Sequence, residues 1–298
     1  MARMSKDNKW WNISIGRFVI YSFLAFAAVF YGVPLIWLFI ASTKDQVTLF
    51  SESAFTFGTW ENVVTTWNDL STYNNFQILD WALNSVIYSV GGVAVTLFTA
   101  IPAGYALALY DFPGRKAFLI LTLIAMIVPS QAIVLPLFLE LLALNLTNSY
   151  LGLILAVGFF PFGVYLAYVF FATALPNGVM EAARTDGCNR FQLFIHMGLP
   201  LAKPIIALVA FFSFLANWSN YFLAFVLLSD ESLFNLPLGL TTLLSGAKTL
   251  SGQGANEIPI EMPEAIQAAI VVVLPVLIVF LVSQRFVRTG MLAGSEKG

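Results

Sequence analysis

Six apolar stretches, each about 20 residues or longer, constrain this chain more than any other feature of its sequence. They run over Phe18–Ser42, Asn84–Tyr110, Ala117–Leu139, Tyr150–Ala172, Pro204–Leu228 and Ala265–Val287. A helix of about 20 apolar residues crosses the hydrocarbon core of a bilayer, where the backbone must satisfy its own hydrogen bonds. With 59% hydrophobic residues, 10% charged residues and a mean hydropathy of +0.84, the chain is too apolar for a soluble domain. The sequence therefore predicts an all-α membrane protein with six transmembrane helices.

The basic residues predict the orientation of these helices. Of the 14 Lys and Arg residues, all but Lys44 and Lys248 lie in or next to the segments on one side of the predicted spans. Cytoplasmic segments of membrane proteins carry an excess of Lys and Arg. We therefore expect both tails and a polar segment in the middle of the chain to lie in the cytoplasm. The segment after the first span is expected to lie on the outer side. The predicted organisation is 1–17 (tail), 18–42 (first span), 43–83 (outer segment), 84–287 (core with five spans and the polar segment 177–204) and 288–298 (tail).

The chain lacks the sequence signals of an energy source of its own. Its nearest approach to a phosphate-binding loop, Gly246-Ala247-Lys248-Thr249, has no second glycine at the required spacing. Ion-coupled transporters usually carry ionisable residues inside their spans. Here Asp80, Glu140, Glu264 and Arg285 fall at span edges or in flanking segments. We therefore expect no nucleotide site in this chain, and ion coupling becomes the less favoured interpretation.

Cysteine and histidine usage also limits the chemistry. The single cysteine, Cys188, allows no intrachain disulfide and no cysteine cluster for a metal. The single histidine, His196, belongs to the polar mid-chain segment and is expected to be an ordinary surface residue. The sequence predicts no catalytic residue, no metal site, no cofactor in this chain and no nucleic-acid partner.

The polar segment 177–204 carries strong local structure signals. A short helix is expected from about Gly178 to Asp186, and Gly187 suits the left-handed position that follows a helix end. Asn189 and Gln192 have the spacing of a capping box, which starts a new helix. The sequence therefore predicts two short helices joined by a tight glycine turn.

This segment resembles the EAA loop of the inner-membrane permease subunits of binding-protein-dependent ABC importers. The resemblance is carried by Glu181-Ala182-Ala183, Asp186-Gly187, Phe194, Leu199-Pro200 and Pro204. Motifs that resemble the carbohydrate branch, in particular the maltose-type second permease, are Leu83-Asn84-Ser85, Gly104–Ala108, Phe112–Arg115 and Trp218. The similarity covers nearly the whole chain from Phe18 onward. Cys188 stands where the family usually has alanine and Met197 where it usually has isoleucine, and both replacements are apolar.

The resemblance implies a type I (MetI-like) permease bundle in a bacterial or archaeal cell (inner) membrane. It implies a second homologous permease subunit, two ATPase subunits that bind ATP and Mg, an extracytoplasmic sugar-binding protein and contact with membrane lipid. In the family, the first short helix of the EAA loop is a coupling helix seated in a cleft of an ATPase subunit. The residues onto which the match carries this role are Glu181, Ala182, Ala183, Asp186, Gly187, Leu199 and Pro200. This chain is then a transporter subunit rather than an enzyme.

Polar residues of the fifth predicted span are candidates for a sugar path. Asn217 and Asn220 offer hydrogen bonds to sugar hydroxyls, and Trp218 and Tyr221 offer flat apolar faces. Such groups equally serve to bond one helix to another in a membrane. The sequence leaves both roles open.

Two outer segments, and the class of the protein itself, each allow more than one interpretation. The aromatic segment 43–83 either lies on lipid headgroups or caps an external binding protein, and the glycine-rich loop 241–262 either reaches into that protein or is a slack connector. An ion-coupled or facilitative secondary transporter would work alone and without ATP, and a non-transport scaffold would tolerate substitutions at Glu181 and Gly187. The sequence does not name the sugar, since glycerol-phosphate and oligosaccharide importers share these features.

Overall fold

A computed structural model describes residues 15–175, 177–185, 187–246 and 260–292, and every regular element in these ranges is helical. The helices are α1 (Ile15–Ala41), α2 (Gln46–Ser51), α3 (Trp60–Thr72), α4 (Gln77–Leu109), α5 (Arg115–Ile127), α6 (Ser130–Ala143), α7 (Tyr150–Gly158), α8 (Pro161–Thr173), α9 (Asn177–Thr185), α10 (Arg190–Leu193), α11 (Leu199–Leu201), α12 (Lys203–Trp218), α13 (Phe222–Leu227), α14 (Leu236–Gly246) and α15 (Met262–Leu292). A π-helical turn, Phe194–Gly198, and a 3₁₀ turn, Glu231–Leu233, complete the set. The predicted all-α fold is confirmed for this part of the chain. Most of the predicted tails and of the loop 241–262 lie outside it.

Three helices, α1, α4 and α15, are long and apolar enough to cross a membrane unaided. Three further pairs of consecutive helices pass the same test together, but each pair is bent by more than 40° at a short break. The described residues thus hold three clear spans, or up to six when each bent pair counts as one. The six predicted spans agree with the larger number.

The third predicted span, Ala117–Leu139, is not one continuous helix. Its two halves, α5 and α6, meet at 109°. Pro129 has no N–H to donate and disfavours helical backbone at the residue before it. Val128 accordingly leaves the helix with ψ of 123°. The third predicted span is therefore built from two helices that meet at a sharp turn, and the cause of the turn is local.

The fourth and fifth predicted spans are also interrupted. The break between α7 and α8 bends the chain by 43° and precedes Pro161, where the same restriction applies. The fifth span was expected to continue to Leu228, but α12 ends at Trp218. The side-chain oxygen of Asn220 accepts a 3.0 Å hydrogen bond from the backbone N–H of Leu223 and so starts α13 afresh. Backbone groups at these two breaks are satisfied by side chains from elsewhere in the bundle, since the carbonyl of Gly158 accepts from Thr96 (3.0 Å) and that of Asn220 from Asn235 (2.7 Å).

The central element of the fold is α4, which packs along α7, α8 and α12. A glycine permits the closest of these approaches. A Cβ built on Gly104 would lie 2.5 Å from the Cβ of Ala167 and 2.7 Å from the backbone nitrogen of Tyr168 on α8. Real Cβ atoms do not approach neighbours this closely, so the contact between α4 and α8 requires glycine at this position.

The N-terminal half of α4 holds the segment that follows α13. The indole N–H of Trp81 donates to the carbonyl of Glu231 (2.8 Å), and the hydroxyl of Tyr88 donates to that of Leu233 (2.8 Å). Asn84 donates to the carbonyls of Ser232 (2.7 Å) and Phe234 (2.9 Å). Polar side chains on α4 thus satisfy backbone groups that no regular helix pairs.

We expect Asn84→Ala to destabilise the chain by about 2–3 kcal/mol. The substitution removes the donor to two backbone carbonyls and also the acceptor for the hydroxyl of Tyr150. The measurement is thermal unfolding of the purified chain in detergent. Asn68→Ala on α3 is the matched control, since Asn68 is exposed, and it should change stability by less than about 0.5 kcal/mol. Equal stability of the two variants would contradict the role given to Asn84.

Helix α1 shares little surface with the rest of the chain. Between residues 16 and 41 only Ile40 and Ala41 are buried, whereas Phe23 and Phe26 are 68% and 65% exposed. An apolar helix that packs so little against its own bundle leaves a face for lipid or for another helix.

Candidate functional site

Two parts of the structure concern function, and the first is the polar segment near the middle of the chain. We call residues 177–201 the elbow. Gly187 ends α9 with φ of +87°, which confirms the predicted left-handed glycine. The backbone N–H of Cys188 donates to the carbonyl of Ala183 across this turn (3.1 Å). The turn is therefore closed by the bonding expected of a helix end.

The second half of the elbow begins with the predicted capping box. The side-chain oxygen of Asn189 accepts from the N–H of Gln192, and that of Gln192 accepts from the N–H of Asn189, both at 2.9 Å. After α10 the chain passes through the π-helical turn and α11, then turns by 75° into α12. The elbow thus connects directly to one of the helices that pack on α4.

The inner face of the elbow is tightly packed against the bundle. Met180, Ala183 and Leu193 are 5%, 3% and 1% exposed. They belong to one apolar cluster with Tyr105 of α4 and Phe171 of α8. The ring of Tyr105 lies edge-on to that of Phe171, with centroids 5.1 Å apart, a favourable geometry for aromatic pairs. The elbow is therefore a packed part of the fold and not a loose loop.

Two arginines further hold the C-terminal end of α4. The guanidinium of Arg190 in the elbow lies 5.1 Å from the ring centroid of Tyr110, within cation–π range. Arg115 donates to the carbonyl of Leu107 (2.7 Å), one of the carbonyls left unpaired at a helix end, and pairs with Asp111. Arg190 thus links the elbow to the residue that follows α4, and Arg115 links the start of α5 to the last turn of α4.

The outer face of α9 is exposed. Glu181 is exposed, and Gly178 and Thr185 lie one turn away from it on either side. A Cβ built on Gly178 or Gly187 would meet nothing within 4 Å. Among the predicted coupling residues, Glu181, Gly187 and Pro200 are exposed, Leu199 is half-buried and Ala183 faces the bundle. Asp186 and the side chain of Ala182 lie outside the described part of the chain. Among the described side chains of α9, the exposed carboxylate is that of Glu181.

The second part is a cavity of about 730 Å³ at the level of the helix breaks. Its walls come from α6, from the break between α7 and α8, and from the end of α12 with the start of α13. Most of the lining is apolar. The polar side chains that line it are those of Ser130, Glu140, Asn217 and Asn220. A mostly apolar cavity with a few polar groups is the usual form of a small-molecule site.

A buried chain of hydrogen bonds orients Asn217 in this cavity. Its amide N–H donates to the hydroxyl of Ser213 (3.3 Å), which donates to that of Thr96 (2.9 Å). Thr96 in turn donates to the carbonyl of Gly158, the last residue of α7 (3.0 Å). The helix break thus supplies the acceptor on which the orientation of Asn217 depends.

The other two residues predicted for a sugar path point elsewhere. Trp218 is 3% exposed, stacks on Phe214 and donates to the carbonyl of Val272 on α15 (2.9 Å). Tyr221 stacks on Phe225 of α13. The structure therefore brings Asn217 and Asn220 to one cavity, whereas the ring of Trp218 fills the contact between α12 and α15.

Sequence reasoning missed Glu140 as a cavity residue. Glu140 directly follows the predicted span Ala117–Leu139, so the sequence predicts a residue at a span edge. The turn at Pro129 instead starts a new helix, α6, whose side chains line the cavity. The dipeptide Val128-Pro129 was the available signal, since a residue before proline avoids helical backbone.

The architecture defined by these parts is that of an ABC importer permease. The chain superposes with a TM-score of 0.76 on a chain of a bacterial ABC transporter that is involved in the import of the acidic polysaccharide alginate. The match covers 96% of this chain and 99% of that one at 23% identity. At that identity the likeness shows the fold alone.

Residues 100–292 match the family of binding-protein-dependent transport system inner membrane components, and the chain belongs to this family. A similar protein is the arabinooligosaccharides transport system permease of Halalkalibacterium halodurans, 32% identical over all of both chains. The diacetylchitobiose uptake system permease of Streptomyces coelicolor is 29% identical over 99% of this chain and 91% of its own. The predicted resemblance is confirmed, and the chain is a transporter permease subunit and not an enzyme.

Proposed function

We propose that the chain is one of two permease subunits of an ATP-driven carbohydrate importer and that two separate ATPase subunits drive it through the elbow. The observation that carries the proposal is the two-sided construction of α9. Its inner face, with Met180 and Ala183, is buried in the apolar cluster that also holds Tyr105 of α4, whereas Glu181 on its outer face is exposed. ATP and Mg belong to the ATPase subunits.

The route from the elbow to the cavity runs along α4. Tyr105 of α4 lies in the cluster that holds the elbow, and Thr96, about two turns away on the same helix, lies in the hydrogen-bond chain that orients Asn217. A displacement of α9 by an ATPase subunit then moves the cavity wall and opens the cavity alternately to the two sides. This is a rigid-body mechanism of the hinge and shear type.

A second permease subunit explains two surfaces of the chain. The apolar helix α1 packs little against its own bundle, and the cavity is only partly enclosed by this chain. A homologous subunit would cover α1 and supply the remaining wall. The distribution of basic residues supports a cytoplasmic location for both termini and the elbow. The proposed membrane is a bacterial or archaeal inner membrane, and residues 43–83 are proposed to face an extracytoplasmic sugar-binding protein.

The proposed cargo is a carbohydrate. Relatives that are about 30% identical over almost their whole length bear names for the transport of arabinooligosaccharides and diacetylchitobiose. The cavity suits such cargo because Asn217 and Asn220 supply hydrogen-bonding groups among apolar side chains. Trp218 is proposed to support the wall from behind, through its bond to α15.

Reconstitution tests the proposal. Proteoliposomes that contain both permeases and the ATPase subunits should accumulate labelled oligosaccharide only with ATP on the elbow side and the loaded binding protein on the other. Omission of either should lower uptake to the level of empty vesicles. Accumulation by this chain alone, driven by an ion gradient or by the sugar gradient, would favour a secondary transporter instead. An elbow labelled by impermeant reagents from outside intact cells would also overturn the proposal.

A further inference from the structure

We infer that Glu140 makes the cavity selective for neutral, hydroxyl-rich sugars over sugar acids. The inference rests on the proposed function, because it concerns the cargo of the same cavity. It assigns a selectivity role to a side chain that the sequence patterns did not single out.

Among the described residues, Glu140 is the one acidic group of the cavity lining, and it stands there without a counter-charge. It lies on α6 and is exposed to the cavity that Asn217 and Asn220 also line. Within the described residues its carboxylate has no ion pair and no hydrogen bond. The lining includes no Lys, Arg or His among those residues. A ligand therefore meets an uncompensated negative charge.

The polar groups of the lining are suited to hydroxyl donors. An ionised carboxylate only accepts hydrogen bonds, and hydroxyls that donate to it form stronger bonds than neutral pairs do. One amide N–H of Asn217 is engaged by Ser213, and the side-chain oxygen of Asn220 accepts from Leu223. Asn217 therefore keeps its oxygen as an acceptor, and Asn220 keeps its N–H groups as donors. Neutral sugars provide many hydroxyl donors. The cavity therefore offers them acceptors without demanding a charge.

A sugar acid would bring a second carboxylate close to Glu140. Repulsion between like charges is stronger in a partly enclosed, mostly apolar cavity than in bulk water. Since no cation of the described lining offsets it, a uronate meets this repulsion whereas a neutral sugar does not. The chemistry of the cavity thus separates the two classes by charge alone.

A charge-selective thiol reaction tests the inference on the assembled importer in membranes. Leu137→Cys places a reporter thiol on the cavity lining one turn before Glu140, in a Cys188→Ala background that removes the native thiol. The probes are methanethiosulfonates that carry a sulfonate or a trimethylammonium group. At low salt, Glu140→Gln should raise the reaction rate of the thiol with the anionic probe ~3-fold and lower its rate with the cationic probe ~3-fold. The ratio of the anionic rate to the cationic rate should therefore rise ~10-fold.

Controls separate a local effect from a general one. Glu61→Gln on exposed α3 removes the same charge elsewhere and should leave the rate ratio unchanged. High salt should shrink the effect of Glu140→Gln by screening. An unchanged ratio for Glu140→Gln, or a reporter that neither probe reaches, would overturn the inference, whether or not the complex transports sugar.

A transport measurement adds the functional consequence. Uptake of a neutral glucose trisaccharide is compared with that of a galacturonate trisaccharide in the same proteoliposomes. The preference of the binding protein is common to all variants and cancels in the comparison. Glu140→Gln should raise the relative uptake of the acidic sugar at least ~3-fold, whereas Glu140→Asp, which keeps the charge, should not. Failure of ATP-driven uptake in the wild-type complex would count against the proposed function and not against the charge of the cavity.

Discussion

Replacement of Glu181 by lysine is expected to lower ATP-driven uptake at least about tenfold while the permease still folds. The side chain is exposed on the outer face of α9, so no packing inside the chain is lost. If this face docks into an ATPase subunit, the positive charge of the lysine would be repelled by the group that pairs with Glu181. Truncation of one partner of a buried ion pair costs about 2–5 kcal/mol, and each 1.4 kcal/mol is about tenfold in affinity. The measurements are uptake in proteoliposomes and co-purification of the ATPase subunits.

Two further variants sharpen this test. Glu181→Gln removes the charge without reversing it, so its effect should be smaller than that of lysine. Glu61→Lys makes the same charge reversal on the exposed face of α3 and should leave co-purification of the ATPase subunits unchanged. Full retention of the ATPase subunits by Glu181→Lys would show that α9 does not form the contact.

The elbow could be predicted from the sequence because its structure depends on short-range rules. The capping box of Asn189 and Gln192 and the left-handed Gly187 are satisfied by bonds that span fewer than six residues. Such interactions are present in the chain whatever surrounds it. What the sequence could not show is that Ala183 faces the bundle, since this depends on Tyr105 and Phe171 of other helices.

The cavity was predicted only in part, and the reason is tertiary. Asn217 and Asn220 are three residues apart on the chain, so a common location was expected. Trp218 lies between them in sequence, yet its ring faces away from the cavity. Its indole N–H donates to the carbonyl of Val272, and its ring stacks on Phe214. Hydropathy averaged over about 20 residues gives the length of a span but not its breaks, and it therefore hid the position of Glu140.

Replacement of Gly104 by alanine is expected to destabilise the folded permease by about 3 kcal/mol, the upper range for overpacking of a tight interior contact. Alanine is normally the better residue in a helix by about 1 kcal/mol, so the expected sign is opposite to that of helix propensity. The clash decides it: the added Cβ would lie 2.7 Å from the backbone nitrogen of Tyr168, which no side-chain rotation relieves. Thermal unfolding of the purified chain in detergent is the direct measurement.

Gly32→Ala on α1 is the matched control, because a Cβ there would meet nothing within 4 Å. It should be neutral or slightly stabilising by helix propensity alone. Uptake should also fall in Gly104→Ala, because the added methyl group would push α4 away from α8. Helix α4 carries both Tyr105 at the elbow and Thr96 at the cavity, so its displacement would affect both. Equal stability of the two alanine variants would show that α4 and α8 are not in close contact at Gly104. It would also contradict the rigid connection by which the elbow is proposed to be coupled to the cavity.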